Sequence, residues 1–169
     1  MPKDVFYKID DEKRKRITKS ALVAFTKDDY ESLTVSSITD VMNILRTDFY
    51  YYFKDKDDVF IAIKGLLKSL IERNGAPKDE NEALLSLFSS IFSQKRPKNR
   101  SYYLDLALNY NPNSIETFAK FLLEEYGNKN YSEKELILLK AKLHLFMILM
   151  VRSLKDNSKV EESKEMLAK

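Results

Sequence analysis

Cysteine and tryptophan are absent from this 169-residue chain, which has one histidine, three glycines and four prolines. Without cysteine, disulfides, zinc–thiolate sites and thiol nucleophiles are excluded. The single histidine, His144, excludes a two-histidine metal motif, and the three scattered glycines exclude a glycine-rich phosphate loop. The commonest enzyme signatures are therefore missing, and we expect a protein without catalytic activity, metal or cofactor.

Long hydrophobic runs are missing as well. The longest uninterrupted apolar run covers 145–151, far short of the roughly 20 residues that a membrane-spanning helix needs. The chain begins Met1-Pro2-Lys3-Asp4 and meets charged residues before any apolar stretch, unlike a signal peptide. We therefore expect a soluble, cytoplasmic protein that does not bind a membrane.

Apolar residues recur at spacings of three and four along the whole chain, and no stretch alternates as a strand would. This pattern predicts an all-α fold. Residues that favour helix N-termini precede several of the periodic stretches, namely Thr34, Asp55, Asp79, Asn113 and Ser132. The predicted helices cover 10–27, 35–42, 46–53, 55–74, 79–94, 100–110, 113–126, 132–156 and 159–168.

A tight turn separates two short predicted helices that follow the long first one. Asn43 stands at this turn, and asparagine tolerates the left-handed backbone conformation. Leu45, just before the second short helix, has no side chain that can cap it, which leaves the start of that helix uncertain by two residues. A long helix followed by two short ones is typical of a helix-turn-helix DNA-binding unit.

The segment 33–59 resembles the tetracycline-repressor (TetR) family of bacterial transcriptional regulators. In that family a threonine opens the second helix, an isoleucine holds its core, and the recognition helix ends in a tyrosine, any residue and an aromatic pair, followed by a lysine. The matching residues are Thr34, Ile38, Tyr50, Tyr52, Phe53 and Lys56. The resemblance covers roughly 10–65 and implies a DNA-binding domain at 1–56 and a helical ligand-binding and dimerisation domain at 57–169.

Candidate DNA contacts follow from side-chain chemistry. Arg46, at the front of the recognition helix, can bind a guanine edge or a phosphate. Lys56, at the start of the next helix, is predicted to bind a phosphate, whereas Phe49 and Phe53 are predicted core residues. For the tyrosines, packing is the alternative to DNA contact. The candidate DNA-binding residues are Thr34, Ser36, Arg46, Thr47, Tyr50, Tyr51, Tyr52 and Lys56. Cationic clusters at 13–16 and 95–100 are solvated faces or further phosphate contacts.

The predicted second domain is rich in aromatic residues at helical spacing. The resemblance implies that they line a pocket for a small apolar ligand, and the alternative is an ordinary core. The candidate ligand-binding residues are Phe88, Phe92, Tyr102, Tyr103, Leu106, Tyr110, Phe118, Phe121 and Leu122.

The helix predicted at 132–156 is apolar on all sides between 143 and 151, so more than one side must be covered. A stripe at spacings of three and four suits a helix–helix seam, and the resemblance implies a homodimer interface there. Its residues are Leu136, Leu139, Leu143, Phe146 and Met150. The alternative is a stripe that packs within one protomer.

Together these patterns lead us to expect a homodimeric repressor that binds a palindromic operator in double-stranded DNA and is released by a small apolar ligand. The alternative is a helical protein-interaction or dimerisation module without sequence-specific DNA binding. A protein partner of the second domain, in place of a small molecule, is a further alternative.

Overall fold

The computed structural model of the chain describes residues 1–93 and 98–169, and the ordered elements in these ranges are helices, with no strand. Short 3-10 turns lie at Glu72–Asn74, Pro112–Ser114 and Asn157–Lys159. The helices are α1 (Asp4–Lys8), α2 (Asp11–Lys27), α3 (Val35–Met42), α4 (Arg46–Tyr52), α5 (Lys56–Ile71), α6 (Glu80–Ile91), α7 (Arg100–Asn109), α8 (Ile115–Tyr126), α9 (Glu133–Lys155) and α10 (Val160–Ala168). The prediction of an all-α fold is therefore confirmed for the described residues.

Local capping chemistry sets most of the helix starts. The side chains of Thr34, Asp55, Asp79 and Ser132 each accept a hydrogen bond from the backbone N–H three residues further on. Each bond satisfies a donor that the first turn of a helix leaves without an intrahelical partner. The predictions for these four caps are confirmed, because a cap depends only on residues close in sequence.

The start of α8 differs from its prediction. Asn113 was expected to cap this helix, but it lies inside the 3-10 turn and donates its own N–H to the Asn111 side chain, at 2.9 Å. Ser114, the residue before α8, makes no side-chain capping bond. Pro112 accounts for the difference, since its fixed φ starts a turn one residue after Asn111.

Helix α1 has no counterpart among the predicted helices. Phe6 is buried, and its ring centroid lies 5.0 Å from that of Phe53 and 6.2 Å from that of Tyr52. The backbone N–H of Lys3 donates to the carbonyl of Tyr52 at 2.9 Å. A helix of five residues is too short to be stable alone, so these contacts with the end of α4 hold it in place.

The buried residues form one connected cluster that crosses the predicted domain boundary at residue 56. Helix α5 joins the two parts, because it packs on α2 and on α6. Its inner face carries Val59, Ile63, Leu67 and Ile71, all buried at spacings of four. Helix α9 packs on α6, α7, α8 and α10. Every helix in the described part of the chain is too short or too polar to cross a bilayer.

Candidate functional site

The turn between α3 and α4 has the conformation that the sequence predicts. Asn43 is left-handed, with φ 53° and ψ 49°, and its N–H donates to the carbonyls of Asp40 and Thr39. The N–H of Ile44 also donates to the Thr39 carbonyl, at 3.1 Å. Leu45 is extended and gives no side-chain cap, and α4 begins directly after it. The turn is therefore closed by backbone hydrogen bonds alone.

Buried side chains fix how α4 sits on α1 and α3. Ile38, Phe49 and Phe53 are each fully buried, as predicted. The rings of Phe49 and Phe53 lie 5.6 Å apart, within the range of favourable aromatic contacts. Because this side of α4 is occupied by the core, the side chains from Arg46 to Tyr51 other than Phe49 are exposed.

The opposite side of α4 is exposed and polar, and we call Arg46, Thr47, Tyr50 and Tyr51 the outer α4 surface. All four are predicted DNA-binding residues. Two more of these candidates, Thr34 and Ser36, are exposed at the N-terminal end of α3. The hydroxyl of Thr34 already accepts a hydrogen bond from the Ser37 N–H, at 3.1 Å.

Tyr52 does not belong to this exposed group. It is buried, and its ring makes edge contacts with Phe6 and Tyr51. The packing alternative describes the surroundings of its ring, and the prediction that its hydroxyl contacts a phosphate stays a prediction. Sequence spacing gave no sign of this, because the partner Phe6 lies on the unpredicted α1.

The structure also corrects the prediction for Lys56. Its ammonium donates to the carbonyls of Tyr30, Leu33 and Glu31 at 2.7, 3.2 and 3.4 Å, and it lies 4.7 Å from the centroid of the Tyr30 ring. All of its donors are therefore engaged by the loop between α2 and α3. Lys56 fastens this loop to the start of α5 and has no donor left for a phosphate.

Replacing Lys56 with methionine is expected to lower the free energy of unfolding by about 2–3 kcal/mol, because three carbonyls lose hydrogen bonds to a charged donor. Urea unfolding followed by circular dichroism measures the change. Lys54→Met is the matched control, since Lys54 is exposed and its replacement should change stability by less than about 0.5 kcal/mol. Equal effects of the two substitutions would contradict the role given to Lys56.

Two cations near α4 were not predicted. The ammonium of Lys3 donates to the Tyr50 carbonyl, which places it at the C-terminal end of α4. Lys54 is exposed just after that helix. With Arg46 they give this region three cations, against the exposed carboxylate of Asp48. The position of Lys3 depends on α1, so no local pattern could have revealed it.

A cavity of about 80 Å³ lies among α2, α5, α6, α7, α8 and α9, and its lining is almost wholly apolar. Among the predicted ligand-binding residues it brings together Tyr102, Tyr103, Leu106, Phe118, Phe121 and Leu122. Residues of α5 that were not predicted complete one wall, namely Leu66, Leu67, Leu70 and Ile71. Aliphatic residues of this kind give no sequence signal that distinguishes a cavity wall from an ordinary core.

The other three ligand-binding candidates lie elsewhere. The rings of Phe88 and Phe92 pack against each other, with centroids 4.7 Å apart, and Phe88 also contacts Phe146. The Tyr110 hydroxyl shares a hydrogen bond of 2.8 Å with Nδ1 of His144, and burial raises the pKa of Tyr110. These contacts are core packing and a tyrosine–histidine pair, and none of the three residues lines the cavity.

The stripe predicted as a dimer seam is covered within the protomer. Leu139, Leu143, Phe146 and Met150 are buried, and Leu136 is partly buried. Leu143, Phe146 and Met150 line the cavity. They are therefore unavailable to a second chain, and the structure supports the alternative of a stripe that packs inside one protomer.

A different face of α9 is apolar and open. Ile137, Leu138 and Ile148 are 57%, 55% and 64% exposed, Ala141 is exposed, and Leu145 is partly exposed. Ile137 and Leu138 are consecutive, and Ala141, Leu145 and Ile148 follow at spacings of three or four, which places all five on one side of the helix. We call these five residues the outer α9 stripe.

The two predicted cationic clusters have different surroundings. In 13–16, Arg14 and Lys15 pair with Asp11 on the same helix, whereas Lys13 and Arg16 are exposed. In 95–100, residues 95–97 lie outside the described residues, and Arg100 donates from Nε to the Leu154 carbonyl at 2.6 Å.

Comparison of the sequence with models of known protein families finds no match, and comparison with curated proteins finds none either.

Proposed function

We propose that the chain is a homodimeric transcriptional regulator of the tetracycline-repressor type, acting as a repressor. In this proposal α4 reads operator DNA, and a small apolar molecule in the cavity releases it. The observation that carries the proposal is the α3–α4 unit, in which a left-handed turn at Asn43 joins two short helices and Phe49 is buried behind a polar outer α4 surface.

The size and chemistry of α4 suit a major groove. An α-helix with its side chains is about 10–12 Å across, and the groove is about 12 Å wide. Arg46 at its N-terminal end can donate two hydrogen bonds to a guanine edge, and the Thr47 methyl group can contact a thymine. The exposed hydroxyls of Tyr50 and Tyr51 are positioned for phosphates or bases beside them.

Charge near α4 supports a salt-dependent interaction. Lys3 and Lys54 from each protomer give four phosphate contacts per dimer, in addition to the base contact of Arg46. Four contacts correspond to a slope of about −4 in the logarithm of affinity against the logarithm of salt concentration. Asp48 opposes this charge and should reduce affinity for non-specific DNA.

The outer α9 stripe supports a dimer. Three large apolar side chains aligned on one helix face are unusual on a monomer surface, and a two-fold axis would pack the stripe against its own copy. A symmetric dimer presents two α4 helices to successive major grooves of a palindrome, which lie about 34 Å apart.

Fragments of the source genome captured on the purified protein at two salt concentrations test the proposal. We expect enrichment of a palindrome that weakens at the higher salt, and Arg46→Ala should bind the enriched site about 10–100-fold more weakly. Lys155→Ala, at the exposed C-terminal end of α9, removes one charge away from α4 and should bind as the unchanged protein does. No enrichment beyond that of Arg46→Ala would contradict the proposal.

A second candidate function is a protein-interaction module. The exposed carboxylate of Asp48 and the 70% exposed side chain of Leu45, beside the outer α4 surface, favour it, since phosphates repel a carboxylate and leave an apolar side chain without a partner. This candidate expects no palindrome and no salt slope of about −4. The same capture experiment therefore separates the two functions.

A further inference from the structure

An open polar groove lies beside the apolar cavity, and two residues line both. Lys19 of α2 and Tyr102 of α7 line the cavity and also line an open groove of about 640 Å³ beside it. The two residues are packed on each other, because the Tyr102 hydroxyl donates to the Lys19 carbonyl at 2.8 Å and the Lys19 ammonium lies 5.8 Å from the Tyr102 ring centroid. They form the partition between cavity and groove.

The groove side of this partition is positively charged. Lys13, Arg16 and Lys19 line it, and none of them has a carboxylate within ion-pair distance in the described part of the chain. Lys15 and two acids, Asp10 and Glu12, line the groove as well; Asp10 accepts the N–H groups that begin α2, and Glu12 pairs with Lys15. Four cations against two carboxylates leave the groove with an excess of positive charge.

Lys19 is the cation closest to the cavity. Burial lowers its pKa by more than the nearby Glu12 carboxylate raises it, as expected for an ammonium that is partly removed from water. An anion held at the partition would compensate the Lys19 ammonium for the hydration that it loses on burial.

Few polar residues line the cavity, namely Lys19, Thr26, Tyr102 and Tyr103. Thr26 donates its hydroxyl to the Val23 carbonyl at 2.9 Å, and the Tyr102 hydroxyl is engaged with Lys19. The rest of the lining is almost wholly apolar. A volume of about 80 Å³ accommodates roughly five to eight water-sized groups, which is the size of a short hydrocarbon chain.

We infer that the ligand is an amphipathic carboxylate, with a hydrocarbon tail in the cavity and its carboxylate on the Lys19 ammonium, supported by Arg16 and Lys13 in the groove. The inference rests on the proposed function, because it names the ligand class for the same cavity. The Tyr102 ring stands in the partition, so it moves when the ligand enters. Since its hydroxyl joins α7 to α2, binding alters the contact between the cavity and the helix that packs on α3.

Calorimetric titration of the full chain with octanoate, 1-octanol and octylamine tests this ligand class. Octanoate is expected to bind at least about tenfold more tightly than 1-octanol, because only the carboxylate forms a charge-assisted hydrogen bond. Octylamine should bind most weakly, since its charge repels Lys19. Equal affinities for octanoate and 1-octanol would overturn the inference.

Variants locate the carboxylate. Lys19→Met should lower the affinity for octanoate by about tenfold or more and leave that for 1-octanol within about twofold. Lys27→Met, an exposed lysine on the same helix that does not line the cavity, is the matched control and should change neither. An unchanged octanoate affinity in Lys19→Met would refute the role of Lys19, and urea unfolding of both variants checks that they are folded.

DNA binding by the unliganded protein separates this inference from the proposed function. If the protein binds octanoate more tightly than 1-octanol but captures no DNA, the result supports the ligand class and contradicts the regulator. If it captures a palindrome but does not bind octanoate, the result supports the regulator and contradicts the ligand class. Release of the captured palindrome by octanoate, and not by 1-octanol at the same concentration, is the result expected when both hold.

Discussion

Replacing Ile148 with glutamate is expected to convert a dimer that forms at micromolar concentration into a monomer. Ile148 is 64% exposed in the protomer and lies within the outer α9 stripe. In a two-fold symmetric contact a single substitution places two carboxylates in the same interface. Burying an unpaired charge is costly, so the dissociation constant should rise by about 100-fold or more. Sedimentation equilibrium over a range of concentrations measures it.

The control for this experiment is Ile61→Glu. Ile61 is also an exposed isoleucine, 38% accessible, but it lies on α5 outside the stripe. It should leave the dissociation constant unchanged. The Ile148 variant should also lose affinity for a full palindrome and keep its weak affinity for a half-site. If the protein without substitutions stays monomeric at high concentration, the dimer is contradicted. If Ile148→Glu still dimerises, the interface lies elsewhere.

For α9, the sequence predicts the ends of the helix but not which of its faces is buried. Its ends and its Ser132 cap could be predicted, because capping bonds join residues three apart. Which apolar face of α9 is buried could not be predicted, because the stripe that contains Leu143 and the stripe that contains Ile148 both have helical spacing. Only the packing of α7 and α8 on α9 decides which stripe is covered.

Around α4, too, some features could be predicted from the sequence and others could not. The turn at Asn43 and the buried Phe49 depend on neighbouring residues, and the sequence predicts both. The roles of Tyr52 and Lys56 depend on α1 and on the loop before α3, which approach them from distant parts of the chain. Long side chains can point either way from a helix end, so family position alone gave the wrong surroundings for Lys56.

Helix α2 is the structural link between the proposed ligand site and the proposed DNA site. It packs on α3 and α5, and two hydrogen bonds tie it to later helices. One joins the Tyr102 hydroxyl to the Lys19 carbonyl, and the other joins the Asn111 N–H to the Thr26 carbonyl at 2.7 Å. A ligand that displaces Tyr102 breaks the first bond and leaves the second as a pivot. DNA and ligand then weaken each other's binding by the same factor.

Replacing Phe49 with alanine is expected to lower the free energy of unfolding by about 3–5 kcal/mol, the range for a fully buried phenylalanine. The side chain has no exposed area and contacts the rings of Phe53 and Tyr50. Urea unfolding monitored by circular dichroism measures the loss. Tyr51→Ala, on the same helix but 58% exposed, removes a similar ring and should change stability by less than about 1 kcal/mol.

The same substitution tests what holds α4 in place. Seven residues without an N-terminal side-chain cap form no stable helix in water, so the position of α4 depends on the anchor that Phe49 provides. Hydrogen exchange of the α4 amides should therefore accelerate in Phe49→Ala by more than that of the α8 amides, since α8 packs on α6 and α9, whereas α4 packs on α1 and α3. Equal acceleration in both helices would show that the anchor stabilises the whole fold uniformly. It would also remove the structural reason for treating α4 as a separately positioned reading helix.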